Sequence, residues 1–227
     1  GSVKCMQFAH AHGRLTVGGY TQVPLQDGVF VDGEIEKEDV IVDVLRSLRH
    51  KQRVRSAVAS LSERKAYLYQ IVVAPDQKDL REAVEFDLET HVPLPPSETI
   101  FDFEVARTIP SGTVVAVTAF ARRVVELYER MFTSANMTLR GLEIESHALA
   151  RAALSQNDRS RVVMVVDMGK RSTRIAVADH GAVSYTATVD FGGDMLTTAL
   201  MKRFTLETDK AEEMKNARGI VWERTIR

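Results

Sequence analysis

Cysteine is almost absent. The 227 residues hold one, Cys5, which excludes an internal disulfide and fits a reducing compartment. Long apolar runs are absent too. None approaches about 18 residues, so no direct membrane span is expected. Neither sign of charge is in excess, with 30 Lys and Arg against 31 Asp and Glu and a formal net charge of -1. That interleaving lacks the basic field of a nucleic-acid binder, and no nucleic-acid partner is expected. No signal peptide is visible, and Gly1-Ser2 reads as a vector-derived remnant, so Val3 need not lie near a natural start. No internal repeat or low-complexity run is present. Of six histidines, only His10 and His12 are close, and no third ligand beside them suggests a metal site. Ser146-His147 is no nucleophile–base pair, because neighbours on a helix point apart and no Gly-x-Ser-x-Gly elbow exists. What is there is 44% hydrophobic and 27% charged, a soluble globular composition of one large or two small domains.

The patterns alternate between strand and helix. Val3 to Ala9 and Arg14 to Thr21 read as a hairpin, followed by a loop from Val29 to Ile35. Glu36 to Arg49 repeats helically, with Val40, Ile41, Val44, Leu45 and Leu48 on one face. Ser56 to Leu61 and Ala66 to Val73 read as strands. Pro75 marks a boundary. Asp76 or Asp79 can cap the next helix, which buries Leu80, Ala83, Val84 and Leu88 and is stopped by Pro93, Pro95 and Pro96. Phe86 falls off that stripe, either as an exposed residue or as a second core contact. Strands follow at Ile100 to Arg107 and Thr113 to Phe120. A helix spans Arg122 to Asn136 with Val124, Val125, Tyr128, Met131 and Phe132 inward. A strand covers Leu139 to Glu145, and Ser146 caps a helix ending near Leu154. Residues 75–145 are expected to form an α+β unit inserted between a first subdomain at 3–74 and a return at 146–220.

The most informative stretch is 162–200. Val162 to Val166 is a short β-branched apolar run of strand length. Asp167 ends it and Gly169 permits a sharp turn. Ser172 and Thr173 place hydroxyls at the start of a returning strand, Arg174 to Ala178. A carboxylate at a strand end beside a small-residue turn suits a metal-bound phosphate. It equally suits an ordinary hairpin whose carboxylate bonds the turn's own N–H groups. Gly192 and Gly193 open a helix whose N-terminus favours anions, or make a plain strand-to-helix connection. Asp194 is expected as that helix's N-cap. Lys170 and Arg171 either help bind phosphate or point into solvent. Glu212 and Lys215, three apart on one expected helix, share a face and suit either a ligand or an ion pair.

In that order, Asp167-x-Gly169-x-x-Ser172-Thr173, Gly192-Gly193 and Ala211-Glu-Glu-Met-Lys215 resemble the actin-like ATPase superfamily. Val31-Asp-Gly-Glu-Ile35, Leu80 to Leu94 (LREAVEFDLETHVPL) and Gly141 to Ala150 narrow the resemblance to PilM, the cytoplasmic actin-like family of type IV pilus assembly, with FtsA of cell division as a relative. The likeness runs from about residue 3 to 219. It implies an α/β actin-like (RNase H-like) ATPase fold with an inserted α+β (SHS2-like) domain. It implies ATP, with Asp167 as the catalytic residue and the residue on the Mg side. Gly169, Ser172, Thr173, Gly192 and Gly193 would line the phosphates, with Glu212 and Lys215 near the ribose. It also implies an adaptor at the inner membrane that binds the N-terminal peptide of a PilN-like partner, assembly ATPases and the platform protein. The first strand and phosphate loop, which would precede Val3-Lys4, and the segments beyond 219 are not matched. Val221 to Arg227 fits no part of the pattern. Full ATPase activity is therefore not expected of this chain, and weak activity at most of a complete one. An FtsA-like division role, a type II secretion relative and an autonomous ATPase or sugar kinase are the alternative readings.

Overall fold

Burial periodicity lays down the helices, and strand pairing arranges them. The computed structural model describes residues 1–11, 13–31 and 33–218. The chain forms two compact units, Gly1–Ala148 and Leu149 onward.

In the first unit β1 (Ser2–Ala11) and β2 (Arg14–Pro24) form an antiparallel hairpin with a bulge at Gln7/Phe8. The stretch expected as loop carries a miniature ladder, β3 (Phe30–Val31) with β4 (Glu34–Ile35). Gly33 turns it at a φ of 83°, a conformation that suits a residue without Cβ. Helix α1 (Glu38–Lys51) starts with Glu38 and Asp39 and ends with Arg49, His50 and Lys51, charges that complement the helix dipole. Its Ile41, Val42 and Leu45 meet Met131 and Phe132 of α3 (Arg122–Ser134). Val3 and Cys5 of β1, with Ala57 and Ala59 of β5 (Ser56–Leu61), pack against that cluster. Full burial of a large aliphatic side chain such as Ile41 or Leu45 is worth roughly 2 kcal/mol. Cys5 is half-buried, which pushes its thiol pKa up.

A second layer stands on its own sheet, ordered β6-β8-β7, from β6 (Ala66–Val73), β7 (Thr99–Ile109) and β8 (Gly112–Ala121), all antiparallel. Helix α2 (Leu80–His91) lies on it through Val84 and Leu88, which meet Val73, Val115, Val117 and Ala119. Asp79 caps the helix, its carboxylate accepting from the N–H groups of Arg81 and Glu82 at 2.9 and 3.1 Å. Phe86 is 90% exposed, so it is not a second core contact.

The expected border at Pro75 does not match this pairing. Strand β6, placed before the border, runs in register with β8 from Ala66↔Phe120 to Val73↔Thr113. Strand β9 (Thr138–Ile144), placed inside the insert, pairs in parallel with β5. Pro75 punctuates a local strand-to-helix turn, and the α+β layer instead runs from β6 to β8. The ends of β5, β8 and β9 converge at Leu61, Phe120 and Ile144, with Val124, Val125 and Tyr128 of α3 packed over them.

Helix α4 (Glu145–Ala153) begins one residue before the expected cap. Ser146 therefore sits inside the first turn, buried, with its hydroxyl unpaired. The second unit holds a three-stranded antiparallel sheet, β10 (Val162–Met168), β11 (Thr173–Asp179) and β12 (Ala182–Val189). Helices α5 (Gly193–Phe204) and α6 (Thr208–Arg218) pack on each other. No helix among the described residues is long and apolar enough to cross a membrane.

Candidate functional site

The β10–β11 hairpin brings most of the expected site residues together. Gly169 donates its N–H to the Ser172 carbonyl at 2.9 Å and closes the turn. The turn then receives the start of α5. Gly193 N–H donates to Gly169 O at 3.0 Å and Asp194 N–H to Lys170 O at 2.8 Å. Thr173 is buried, and its hydroxyl donates to the Phe191 carbonyl at 2.6 Å. Gly192 is the N-cap of α5 and has no room for a side chain. A Cβ there would stand 2.6 Å from Lys170 O and 2.7 Å from Gly169 O and Arg171 C. Asp194 is therefore not the cap; it lies in the first helical turn, 3.9 Å from Lys170 Nζ.

Glu212 and Lys215 do share a face of α6, and that face is turned to α5. Lys215 Nζ donates to Glu212 Oε1 at 2.7 Å, to Thr197 Oγ1 at 2.8 Å and to Gly193 O at 3.3 Å. The Thr197 hydroxyl lies 2.9 Å from Gly193 O and 2.5 Å from Glu212 Oε1, one proton between two acceptors. The Lys215 ammonium, and after it the Thr197 hydroxyl, hold the Glu212 carboxyl below its ordinary pKa. Asp167 directly opposes Arg174 across the hairpin, and Arg174 Nη1 donates to its Oδ2 at 2.6 Å. Among the described residues no group of three or more His, Cys, Asp or Glu is placed to hold a metal ion. His12 lies outside them, as does Val221 to Arg227.

The first unit carries a different site, a pocket of about 290 Å³. Ile35, Leu61, Val124, Leu127 and Tyr128 supply its apolar lining, and its charges are Glu34, Glu36 and Glu38 against Lys65, Arg123 and Arg130, with Arg130 paired to Glu38 at 3.4 Å. Lys65 bonds Glu34 at 2.7 Å and lowers that carboxyl's pKa. Burial, and then the nearby Glu145, push the Tyr128 phenol up to about 12.

A sequence profile described as type IV pilus assembly protein PilM matches residues 1–223. The chain belongs to the PilM family. Among solved structures it is similar to a PilM–PilN type IV pilus biogenesis complex, with a TM-score of 0.73 and 21% identity over 96% of this chain and 67% of that one. The cytoplasmic domain of EpsL, an inner-membrane component of the Vibrio cholerae type II secretion system, follows with a TM-score of 0.57, 10% identity, 91% of this chain and 72% of that one. Among curated proteins, cell division protein FtsA of Neisseria meningitidis serogroup B is 25% identical over 157 residues, which is 66% of this chain and 35% of FtsA. The chain thus spans about a third of the length of that relative. The actin-like fold expected from the sequence is the fold these PilM and FtsA relatives share.

Three features of this PilM-family chain escaped the sequence reading. Arg174 was seen only as the start of a strand. Its signal was available, because a hairpin folded about residues 170 and 171 sets 167 against 174. Thr197 had no such signal, since its role depends on how α6 docks on α5. The pocket likewise joins residues from three separate segments, and no spacing in the sequence announces it.

Proposed function

We propose that this chain is a cytoplasmic adaptor of type IV pilus assembly that seats the N-terminal peptide of a PilN-like inner-membrane partner. The observation that supports this reading is the pocket lined by α3, in a chain similar to a solved PilM–PilN type IV pilus biogenesis complex. A volume near 290 Å³ is at the small end for ligand sites, so it suits one or two anchoring side chains of a peptide. Apolar Leu127 and Val124 would take those anchors, and Arg123 and Arg130 would meet polar groups at the rim. The partner would tether the adaptor at the inner membrane and link it to the assembly ATPases and the platform protein.

The Gly169 turn supports a second part of the reading, a nucleotide phosphate that shifts the balance between two arrangements. Lys170 and Arg171 are exposed on that turn and would meet the anion. Glu212 and Lys215, engaged with each other in this arrangement, would have to exchange that bond for a ribose contact.

Fluorescence anisotropy with a labelled N-terminal PilN-like peptide tests the first part. Micromolar binding that weakens at least tenfold in Leu127→Ala and Arg123→Glu is expected, and no binding to the wild-type chain contradicts it. Calorimetric titration of ATP tests the second.

A further inference from the structure

Asp167 already has a cation. The residue expected on the metal side of the phosphate turn sits directly opposite Arg174 in the β10–β11 register, with Nη1 and Oδ2 2.6 Å apart. Both side chains are about one-third exposed, 30% for Arg174 and 37% for Asp167. The pair is therefore less screened than one at the open surface. A guanidinium keeps its charge at any physiological pH, and its bond to a carboxylate is charge-assisted.

Magnesium has different demands. It wants an octahedral shell of oxygens at about 2.0–2.1 Å, built from one or two carboxylates, phosphate oxygens and water. Of the other acids near this turn, Glu212 is bonded by Lys215 and Thr197, and Asp194 lies 3.9 Å from the exposed Lys170 ammonium, a loose surface pair. A metal would have to displace Arg174 to reach Asp167, and the residues present do not fit it.

We infer that this turn is a metal-independent anion site, with the Arg174 guanidinium standing where a divalent cation would be. The inference rests on the nucleotide reading above for its ligand, a nucleoside triphosphate, but its claim about the metal stands on the Asp167–Arg174 pair. Arg174, with Lys170 and Arg171, supplies the positive charge that the phosphate oxygens meet. Asp167 positions the guanidinium and contributes no metal ligand.

The test uses two probes on the 227-residue chain. ATP is titrated by calorimetry in EDTA and in excess magnesium, and manganese alone is titrated by electron paramagnetic resonance. Affinity for ATP within about threefold in the two buffers, with no stoichiometric manganese uptake, is the expected result. Arg174→Gln should weaken metal-free ATP binding at least tenfold and make what remains magnesium-dependent. Circular dichroism of Arg174→Gln and of the Asp167→Asn/Arg174→Gln double variant checks that both fold. ATP binding by the wild type that disappears in EDTA overturns the inference. So does stoichiometric manganese uptake that Asp167→Asn abolishes. If ATP binds in neither buffer, the nucleotide reading fails, and the manganese titration alone decides the metal claim.

Discussion

In the first unit, α1, α2 and α3 lie on their sheets through Leu, Val, Ile, Met and Phe side chains. In the second, the turn, α5 and α6 are joined by backbone carbonyls and a Glu–Thr–Lys cluster. The difference separates two kinds of specification. Apolar burial is non-directional and tolerates small shifts. A set of short polar bonds fixes atoms but fails when one partner is lost. The proposed peptide pocket belongs to the first kind and the proposed phosphate turn to the second. The proposed adaptor, holding one partner and changing arrangement with a second ligand, would use both.

The largest expected effect breaks the apolar side. Leu88→Ala, at a residue 1% exposed, should cost about 3 kcal/mol in urea unfolding, with the loss confined to the α2 layer. Next, Gly192→Ala forces a Cβ onto three backbone atoms of the turn. It should cost about 2 kcal/mol and expose the amides of 169–172 to hydrogen exchange while those of α2 keep their protection. Thr197→Val removes the shared hydroxyl and should cost about 1 kcal/mol, read by the same denaturant series.

Acid sharpens the comparison further. The Glu212 carboxyl is held below its unfolded pKa, so its stabilising contribution is complete above the ordinary carboxylate range. It is lost as pH falls through the depressed value. The protection factors of 208–217, referred to the intrinsic exchange rate at each pH, should fall as pH drops from about 5 to about 3, and Glu212→Gln should remove that dependence. The smallest effect is expected at Phe86, whose replacement by Ser should change stability by no more than about 0.5 kcal/mol.

The same contrast explains what the sequence disclosed. Helix faces such as Ile41/Val44/Leu45/Leu48 and Val84/Leu88 are written in their period, and the structure buries them. The turn at Gly169 was legible because glycines and a strand-end carboxylate mark it. The partners of its residues were not, apart from Arg174. Strand membership also stayed hidden. Nothing in Ala66 to Val73 says that it pairs with a strand forty residues later, and a proline beside it pointed to the wrong border. Phe86 shows a simpler limit, because periodicity removes a residue from the inner stripe without saying what it faces.

Hydrogen–deuterium exchange of the chain with and without a PilN-like N-terminal peptide tests the central claim most directly. New protection at 33–38, 61–65 and 123–130, the segments that line the pocket, is the predicted result. Peptide binding with protection elsewhere, or no protection at saturating peptide, would contradict it.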